Sequence, residues 1–390
     1  MPKPLAAIAP TRRSAAAGAP IVIFFSIDSL RADIPSDARH SKYMPNLVEL
    51  MNQGTTFTNA RAPGSMTKYT LAGISSGRYF SQQNWGSVGK SHWPTEDRSV
   101  HVASVLSPAG VFTAAFPAAR WLQNGPGVLR GFELNDWSGD DRGRGEHWVG
   151  GEALTQQLIA QLERQAARPG FYWVHHLDSH SPFQKGGRRG KPFDRYLKAL
   201  RVVDGYLGQV RAAVTRLGLD ERVLWFVMSD HGEAFGEHDA QFHGGSLYDE
   251  LVRVPLVAKG PGVPSREVDV PVSLIDLGPT VLDWFGLETP ASFMGESLVP
   301  FLAGQSRKFS RPIVAETRLK QAMVFADGRK VIRDLRRSTL ELYDLRNDPG
   351  ELVNLSDDID VDQEEHVLLM RSFFQVHTYR ENGYRVPYVK

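Results

Sequence analysis

Near-continuous apolar runs alternate along the chain with segments in which apolar residues recur every three or four positions. Residues 21–27 form the first apolar run, and residues 171–174 and 223–228 form two more. Such runs are typical of strands that are buried on both faces of a parallel sheet. The longest periodic segment predicts an amphipathic helix through Leu197, Leu200, Val203, Leu207, Val210, Val214 and Leu217.

Two more helices are predicted between these strands. Pro45 begins one, which Gly54 ends, and an apolar stripe at Leu154, Leu158 and Leu162 marks the other. Because strand and helix patterns alternate, the sequence predicts an α/β fold with a mainly parallel central sheet that helices cover on both faces.

The pattern changes after about residue 305. Residues 323–325, 329–332 and 340–343 predict short strands, and the Asp327-Gly328 pair predicts a hairpin turn between the first two. The sequence therefore predicts a flexible tail over residues 1–19, an α/β domain over residues 20–305, and a C-terminal antiparallel subdomain with its tail over residues 306–390.

Composition narrows the classes of protein to consider. The 390 residues are 42% hydrophobic and 23% charged, which suits a globular chain with a large core. A net charge of +1 gives no sign of a nucleic-acid-binding surface. The absence of cysteine excludes disulfides, thiolate metal ligands and a cysteine nucleophile.

The sequence also bears on where the protein resides. It holds no run of about 18 apolar residues, so no membrane span is expected. The Arg12-Arg13 pair precedes an apolar segment that is too short for an export signal, and a cytoplasmic location is expected. A periplasmic or exported protein is the alternative if the N-terminus is incomplete.

Polar residues follow two of the predicted strands. Asp28 follows the first strand, and Asp230 and His231 follow the strand over residues 223–228. Ligands of open α/β sheets bind beyond the carboxyl ends of the strands, where two carboxylates and an imidazole could hold a divalent cation. The alternative is that Asp28 caps a turn and that the Asp230-His231 pair belongs to an ordinary polar loop.

Several longer segments resemble the sulfatase family of the alkaline phosphatase superfamily, in the order expected for that family. These segments are SIDSLRAD (26–33), MPNLVELMNQGTTFTNARAP (44–63), SGRYF (76–80), SDHGEAFGEHDAQFHGGSLYDELVRVPLVAKGPG (229–262), VSLIDLGPTVLDWFG (272–286) and ELYDLRNDPGELVNL (341–355). The resemblance implies that residues 20–305 form a sulfatase-like catalytic domain. It also implies that Asp28, Asp230 and His231 are metal ligands.

The chain departs from the formylglycine sulfatases at the nucleophile. The position of their modified Cys or Ser is Thr67, which lacks the Pro two residues on and the Arg four residues on. The resemblance therefore implies no formylglycine. Thr67 instead resembles the threonine nucleophile and metal ligand of phosphoethanolamine transferases, lipoteichoic acid synthases and nucleotide pyrophosphatases. Ser65 is an alternative nucleophile, and a helix-capping hydroxyl is the structural alternative for Thr67.

A second departure lies beside the first predicted metal ligand. The family often carries two acidic residues after its first strand, but here the second position is Ser29. This pattern resembles the phosphotransferase-like branches more than the calcium sulfatases.

Other residues are assigned to the substrate through the same resemblance. His180 matches a histidine that contacts the anionic ester or its leaving group, and His243 matches a position beside the substrate oxygens. His238 lies between these segments and is a further substrate-binding candidate. Lys68 could neutralise a non-bridging oxygen, or it could face solvent. His175 is expected to be an ordinary core residue.

A second ion among Asp178, His180 and His243 is an alternative, but the spacing of these residues differs from that in nucleotide pyrophosphatases. We expect one divalent cation, Mn²⁺ before Zn²⁺, Mg²⁺ or Ca²⁺.

The resemblance implies a metal-dependent hydrolase or transferase of phosphate or phosphonate esters that forms a covalent intermediate on Thr67. Its substrate would be a small molecule or the headgroup of a lipid or glycan. The alternatives are a sulfuric ester hydrolase that works without formylglycine, and a non-catalytic binding protein that keeps the fold. The oligomeric state stays open.

Overall fold

The computed structural model describes residues 18–88, 91–94, 96–119, 122, 127–135, 149–307, 311–358, 364–381 and 384. Residues 1–17 of the predicted tail lie outside this part of the chain. The described α-helices are Asp33–Ser36, Pro45–Gln53, Thr67–Ser76, Val102–Leu106, Gly151–Gln165, Pro192–Arg216, Asp249–Val252, Leu277–Trp284, Val299–Leu302 and Glu365–His377.

An eight-stranded sheet forms the centre of the molecule. Its strands are β1 (Ile21–Ile27), β2 (Thr55–Phe57), β3 (Phe112–Pro117), β4 (Leu134–Asn135), β5 (Gly170–His176), β6 (Val223–Ser229), β7 (Leu256–Lys259) and β8 (Arg266–Val268). They lie in the order β8-β2-β7-β6-β1-β5-β3-β4. β7 alone among these strands is antiparallel to its neighbours, so the predicted mainly parallel sheet is confirmed.

Helices cover both faces of this sheet, as predicted. The helix Pro192–Arg216 packs beside Pro45–Gln53 and Gly151–Gln165, whereas Thr67–Ser76 packs in a second group with Val102–Leu106 and Leu277–Trp284. The seven residues of β1 are all buried, which explains why this strand carries no polar alternation.

The carboxyl ends of three adjacent strands meet at one level of the sheet. Ile27 at the end of β1 pairs in register with His176 of β5 on one side and with Ser229 of β6 on the other. The residues that follow β1 and β6, together with the last residues of β5, therefore converge at one edge.

A second, four-stranded antiparallel sheet follows in the chain. Its strands are, in spatial order, β9 (Ile313–Glu316), β10 (Lys320–Val324), β11 (Arg329–Asp334) and β12 (Thr339–Asp344). Three of these strands and the hairpin at Asp327-Gly328 confirm the sequence prediction, and β9 is an addition to it. The domain boundary near residue 305 stays a prediction.

The remaining strands form three short pairs. Ala60–Arg61 pairs with Val272–Ser273, Gly86–Val88 with Ser91–Trp93, and Ala234–Phe235 with Gln241–Phe242. Within the described ranges, no helix combines the length and the apolar character that a membrane crossing requires.

Candidate active site

Two buried carboxylates form the floor of the candidate site. Asp28 follows β1 and Asp230 follows β6, and both side chains are inaccessible to solvent. The Ser29 amide donates a hydrogen bond to Asp230 Oδ1 over 3.1 Å, and the Ser29 hydroxyl donates to Asp28 Oδ1 over 2.6 Å. The serine that replaces a second acid therefore orients both carboxylates, from a backbone with φ of 59°.

Thr67 brings a hydroxyl group to these carboxylates. It is the first residue of the helix Thr67–Ser76, and Met66 occupies the N-cap position. Its Oγ1 donates to Asp28 Oδ2 over 3.0 Å and lies 3.3 Å from Nε2 of His231. The hydroxyl therefore faces the charged cluster and does not cap the helix. The Ser65 hydroxyl, in contrast, donates to the carbonyl oxygen of Ser246 over 2.7 Å.

His231 presents one nitrogen to both acids. Its Nδ1 lies 2.9 Å from the carbonyl oxygen of Gly232, which assigns the ring proton to Nδ1. Its Nε2 lies 3.5 Å from Asp230 Oδ2 and 4.0 Å from Asp28 Oδ2. The lone pair of Nε2 therefore points toward the two carboxylates.

His175 lies beside the same two carboxylates, Asp28 and Asp230. The sequence analysis did not predict this position. Nε2 of His175 lies 3.6 Å from Asp230 Oδ2 and 3.9 Å from Asp28 Oδ2. Its Nδ1 lies 2.9 Å from Ser26 Oγ, whose own hydrogen is donated to the carbonyl oxygen of Val174. Nδ1 of His175 is therefore the protonated nitrogen, and Nε2 keeps its lone pair. The one available signal was a histidine near the end of a strand adjacent to β1.

The electrostatics of the floor favour a bound cation. Burial disfavours the charge on Asp28, but His180, His231, His243 and His175 outweigh it and hold the pKa of Asp28 below its ordinary value. Burial and then the charge of Asp28 raise the pKa of Asp230 well above its ordinary value. Burial lowers the pKa of His175 to about 4, so its imidazole is neutral at neutral pH.

The donor set fits a divalent metal ion. Among the described residues, one group of three metal-type side chains has ligand atoms within 4.8 Å of one another, namely Asp28, His175 and Asp230. Asp230 Oδ2 and His175 Nε2 are both buried and have no hydrogen-bond partner among the described residues. Carboxylate oxygens and neutral imidazole nitrogens are ligands of Mn²⁺ and Zn²⁺, and a cation would satisfy both atoms.

Two more histidines extend the site on one side. The ring of His243 lies 4.3 Å from that of His231 and 5.1 Å from that of His180, measured between centroids. Nδ1 of His243 lies 3.0 Å from Oε1 of Glu233, which is fully buried. Because the carboxylate of Glu233 can only accept a hydrogen bond, the ring proton of His243 is assigned to Nδ1. Nε2 of His243 therefore keeps its lone pair. Sequence reasoning missed Glu233.

His238 lies in a different environment from His243. Its ring stacks on Tyr248 at 3.6 Å, its Nδ1 lies 2.9 Å from Glu250 Oε1, and its Nε2 lies 3.1 Å from the carbonyl oxygen of Glu351. These contacts occupy both ring nitrogens. The role of His238 in substrate binding stays a prediction.

Lys68 and Asp178 flank the cluster. The Nζ atom of Lys68 lies 5.3 Å from the ring centroid of Trp93. Asp178 accepts a hydrogen bond from the Gly151 amide over 2.9 Å and lies 3.5 Å from Lys185 Nζ. Asp178 is therefore contacted by Lys185 and by an amide at a helix N-terminus. A second ion at Asp178 stays an alternative.

Comparison with known proteins assigns the class. The family described as Sulfatase matches residues 20–287, and N-sulphoglucosamine sulphohydrolase, C-terminal, matches residues 236–373. The first match covers more than half of the chain. The chain therefore belongs to the sulfatase family.

The curated relatives match less than half of this chain, at about a third of identical residues. Arylsulfatase K of Mus musculus is 32% identical over 213 residues, which cover 47% of this chain and 37% of that protein. The Delta 4,5-hexuronate-2-O-sulfatase of Bacteroides thetaiotaomicron is 32% identical over 178 residues, which cover 43% of this chain and 36% of that protein. The matched region thus spans little more than a third of these curated relatives.

Solved structures agree with the fold over nearly the whole chain. The phosphonate monoester hydrolase of Agrobacterium radiobacter has a TM-score of 0.73 at 19% identity, and the alignment covers 91% of this chain and 96% of that one. At this identity, the likeness shows the architecture.

Proposed function

We propose that the protein is a metal-dependent hydrolase or transferase of phosphate or phosphonate esters, with Thr67 as the nucleophile. The observation that carries this proposal is the Thr67 hydroxyl, which lies 3.0 Å from the buried Asp28 carboxylate in a chain without cysteine. A threonine side chain cannot become formylglycine, and an alkoxide attacks phosphorus readily.

The proposed metal ligands are Asp28, Thr67, Asp230 and His231, with His175 added from its position. The proposed ion is Mn²⁺, with Zn²⁺, Mg²⁺ or Ca²⁺ as alternatives, since carboxylate oxygens suit Mn²⁺ and imidazole nitrogens suit Zn²⁺. When bound, the cation supplies positive charge that lowers the pKa of a nearby hydroxyl and polarises the ester.

In the first step, Thr67 loses its proton to solvent water and its Oγ1 forms a bond to phosphorus. The bond between phosphorus and the leaving oxygen breaks, and His180 donates a proton to that oxygen, while His243 binds the transferring group. In the second step, water or an acceptor alcohol attacks phosphorus and gives up a proton to His180. The bond to Oγ1 breaks, and Thr67 regains its proton.

Hydrolysis of sulfuric esters is the second candidate. It is favoured by the names of the curated relatives, which are sulfatases. A sulfated threonine would be harder to turn over than a phosphorylated one, and formylglycine enzymes expel sulfate by another route. Turnover rates of matched aryl sulfate and aryl phosphonate monoesters distinguish the two functions.

The test is rapid quench of the metal-reconstituted protein with a chromogenic phosphonate monoester, followed by peptide mass mapping. We expect a phosphonylated peptide that carries the label on Thr67. A label on Ser65, or turnover without any covalent species, would contradict the threonine mechanism. Absence of turnover of phosphonate and sulfate esters would support the non-catalytic alternative, whereas a tightly bound stoichiometric metal would count against it.

A further inference from the structure

The turn that follows β1 connects the two carboxylates of the candidate site. Ser29 in this turn has φ of 59°, in the left-handed region that residues other than glycine adopt only where their surroundings hold them there. In this conformation the Ser29 amide reaches Asp230, and the Ser29 hydroxyl reaches Asp28. The groups that hold the turn therefore affect the positions of both proposed metal ligands.

The hydroxyl of Tyr196 closes this turn. It donates to the carbonyl oxygen of Ser29 over 2.8 Å and accepts from the Arg31 amide over 3.1 Å. Tyr196 belongs to the helix Pro192–Arg216 and is inaccessible to solvent. Its ring packs against three other aromatic rings, those of Phe183, Phe193 and Phe235. Because the ring is held in this way, one side chain fixes the separation of residues 29 and 31.

Two serine hydroxyls hold the residues on either side of Ser29. Ser179 Oγ donates to the carbonyl oxygen of Asp28 over 2.7 Å, and Ser229 Oγ accepts from the Leu30 amide over 2.7 Å. Both serines are buried. Side-chain hydroxyls from three separate segments thus bind consecutive residues of one turn. A turn that is held in this way needs little rearrangement when a cation binds, and such preorganisation raises affinity.

We propose that Tyr196 and Ser179 are positioning residues of the proposed metal centre. Their hydroxyls hold the turn at Ser29, which in turn orients the carboxylates of Asp28 and Asp230. This inference rests on the proposed function, because it concerns the same metal centre. Contacts that orient a metal ligand contribute to metal affinity although they do not touch the ion.

The test measures metal affinity without any turnover. After dialysis against a chelator, calorimetry titrates the unmodified protein and Tyr196→Phe with Mn²⁺, and with Zn²⁺ in a parallel series. Tyr196→Phe removes only the hydroxyl, and we expect it to bind the metal about tenfold more weakly. The titrations are made at a temperature at which circular dichroism shows both proteins to be folded.

The melting temperature separates positioning from a role in stability alone. Tyr196→Phe should lower the Tm, because the Ser29 carbonyl and the Arg31 amide lose a hydrogen-bond partner. A residue that only stabilises the fold would lower the Tm and leave the metal affinity of the folded protein unchanged. Ser179→Ala should weaken metal binding in the same way, and it decides the proposal if Tyr196→Phe does not fold.

Tyr172→Phe is the matched control. Tyr172 lies on β5 and is as fully buried as Tyr196, but its hydroxyl has no hydrogen-bond partner among the residues that the structure describes. Removal of this hydroxyl should therefore leave the metal affinity unchanged. A loss of affinity in Tyr172→Phe equal to that in Tyr196→Phe would show that the effect is not specific to the turn, and would overturn the inference.

Two further outcomes distinguish this inference from the proposed function. Unchanged metal affinity in folded Tyr196→Phe, or in Ser179→Ala, would overturn the positioning role of that residue and leave the proposed metal centre intact. Failure of the unmodified protein to bind either Mn²⁺ or Zn²⁺ would overturn the metal centre itself, and the positioning role with it.

Discussion

Oε1 of Glu233 lies 3.0 Å from Nδ1 of His243, and this contact determines which nitrogen of His243 faces the site. Glu233 is fully buried, and its Oε2 has no hydrogen-bond partner in the part of the chain that the structure describes. Its Oε1 contacts the ring of His243. A carboxylate that orients a histidine in this way also raises the basicity of the opposite ring nitrogen.

Replacing Glu233 should therefore impair turnover more than substrate binding. We expect Glu233→Gln to lower kcat by about 10- to 100-fold with a smaller change in KM, the scale found for such orienting contacts. Steady-state kinetics on a phosphonate monoester measures this split. Glu237→Gln is the control, since Glu237 pairs with Arg31 at 2.6 Å, and it should leave kcat nearly unchanged. An equal loss in both variants would count against an orienting role for Glu233.

Metal content should depend on residues at the carboxyl ends of β5 and β6. Asp230→Ala should lose bound metal and activity together, because it removes a carboxylate from a small, buried site. His175→Ala should weaken metal affinity by about 10- to 100-fold. Metal analysis after dialysis measures both effects.

Asp178→Asn is the control for the number of ions. Asp178 is occupied by the Gly151 amide and by Lys185, so the variant should keep the metal content of the unmodified protein. Full metal occupancy in Asp230→Ala would show that the proposed ligand set is wrong, and loss of one ion of two in Asp178→Asn would favour the two-ion alternative.

Substitutions at Thr67 and Ser65 should show which of the two hydroxyl groups is the nucleophile. Thr67→Ala should abolish the covalent species and lower turnover by at least about 10³-fold, as expected when a catalytic nucleophile is removed. Thr67→Ser should retain part of the activity, because a hydroxyl remains. Ser65→Ala should be nearly silent in kinetics and mass mapping. Wild-type rates in Thr67→Ala, or formylglycine at residue 65, would exclude the mechanism.

His176 should make the fold sensitive to acid. Burial lowers the pKa of His176 to about 3, whereas an unfolded histidine titrates near 6.5. The unfolded chain therefore binds more protons than the folded one between these values. The free energy of unfolding should fall as the pH drops from about 6.5 toward 3, by up to about 1.4 kcal/mol per pH unit for this group.

His176→Phe should reduce that acid sensitivity. Across the described ranges, neither ring nitrogen of His176 has a hydrogen-bond partner, and the ring packs between Phe25 and Tyr206. A phenyl ring would lose no hydrogen bond and would carry no titrating group. Urea unfolding at pH 7 and pH 5 measures the difference, and an unchanged slope of stability against pH would refute this assignment.

Sequence reasoning was most successful where a pattern is local. The apolar runs predicted β1, β5 and β6, because a strand that is buried on both faces consists almost entirely of apolar residues. The antiparallel strand β7 was not predicted, since strand direction follows from the connections around it. The ordered segments pointed to Asp28, Asp230 and Thr67, and the structure brings these three residues together.

Residues whose position depends on the fold were missed. His175 looked like a core histidine, because its neighbours Asp28 and Asp230 meet it only when β5 and β6 flank β1. Glu233 follows the recognised metal-binding pair, but its partner His243 is fixed by the loop between them.

The contact of Glu316 with Pro63 and Ser81 has a consequence for how the chain matures. Synthesis proceeds from the N-terminus, and all proposed metal ligands, as well as the last strand of the central sheet, precede residue 269. The proposed cation can therefore bind before the residues of the four-stranded sheet have been synthesised. The contacts of Glu316 with the segments on either side of Thr67 would form afterwards, so the site would gain this support only after its proposed metal ligands have met.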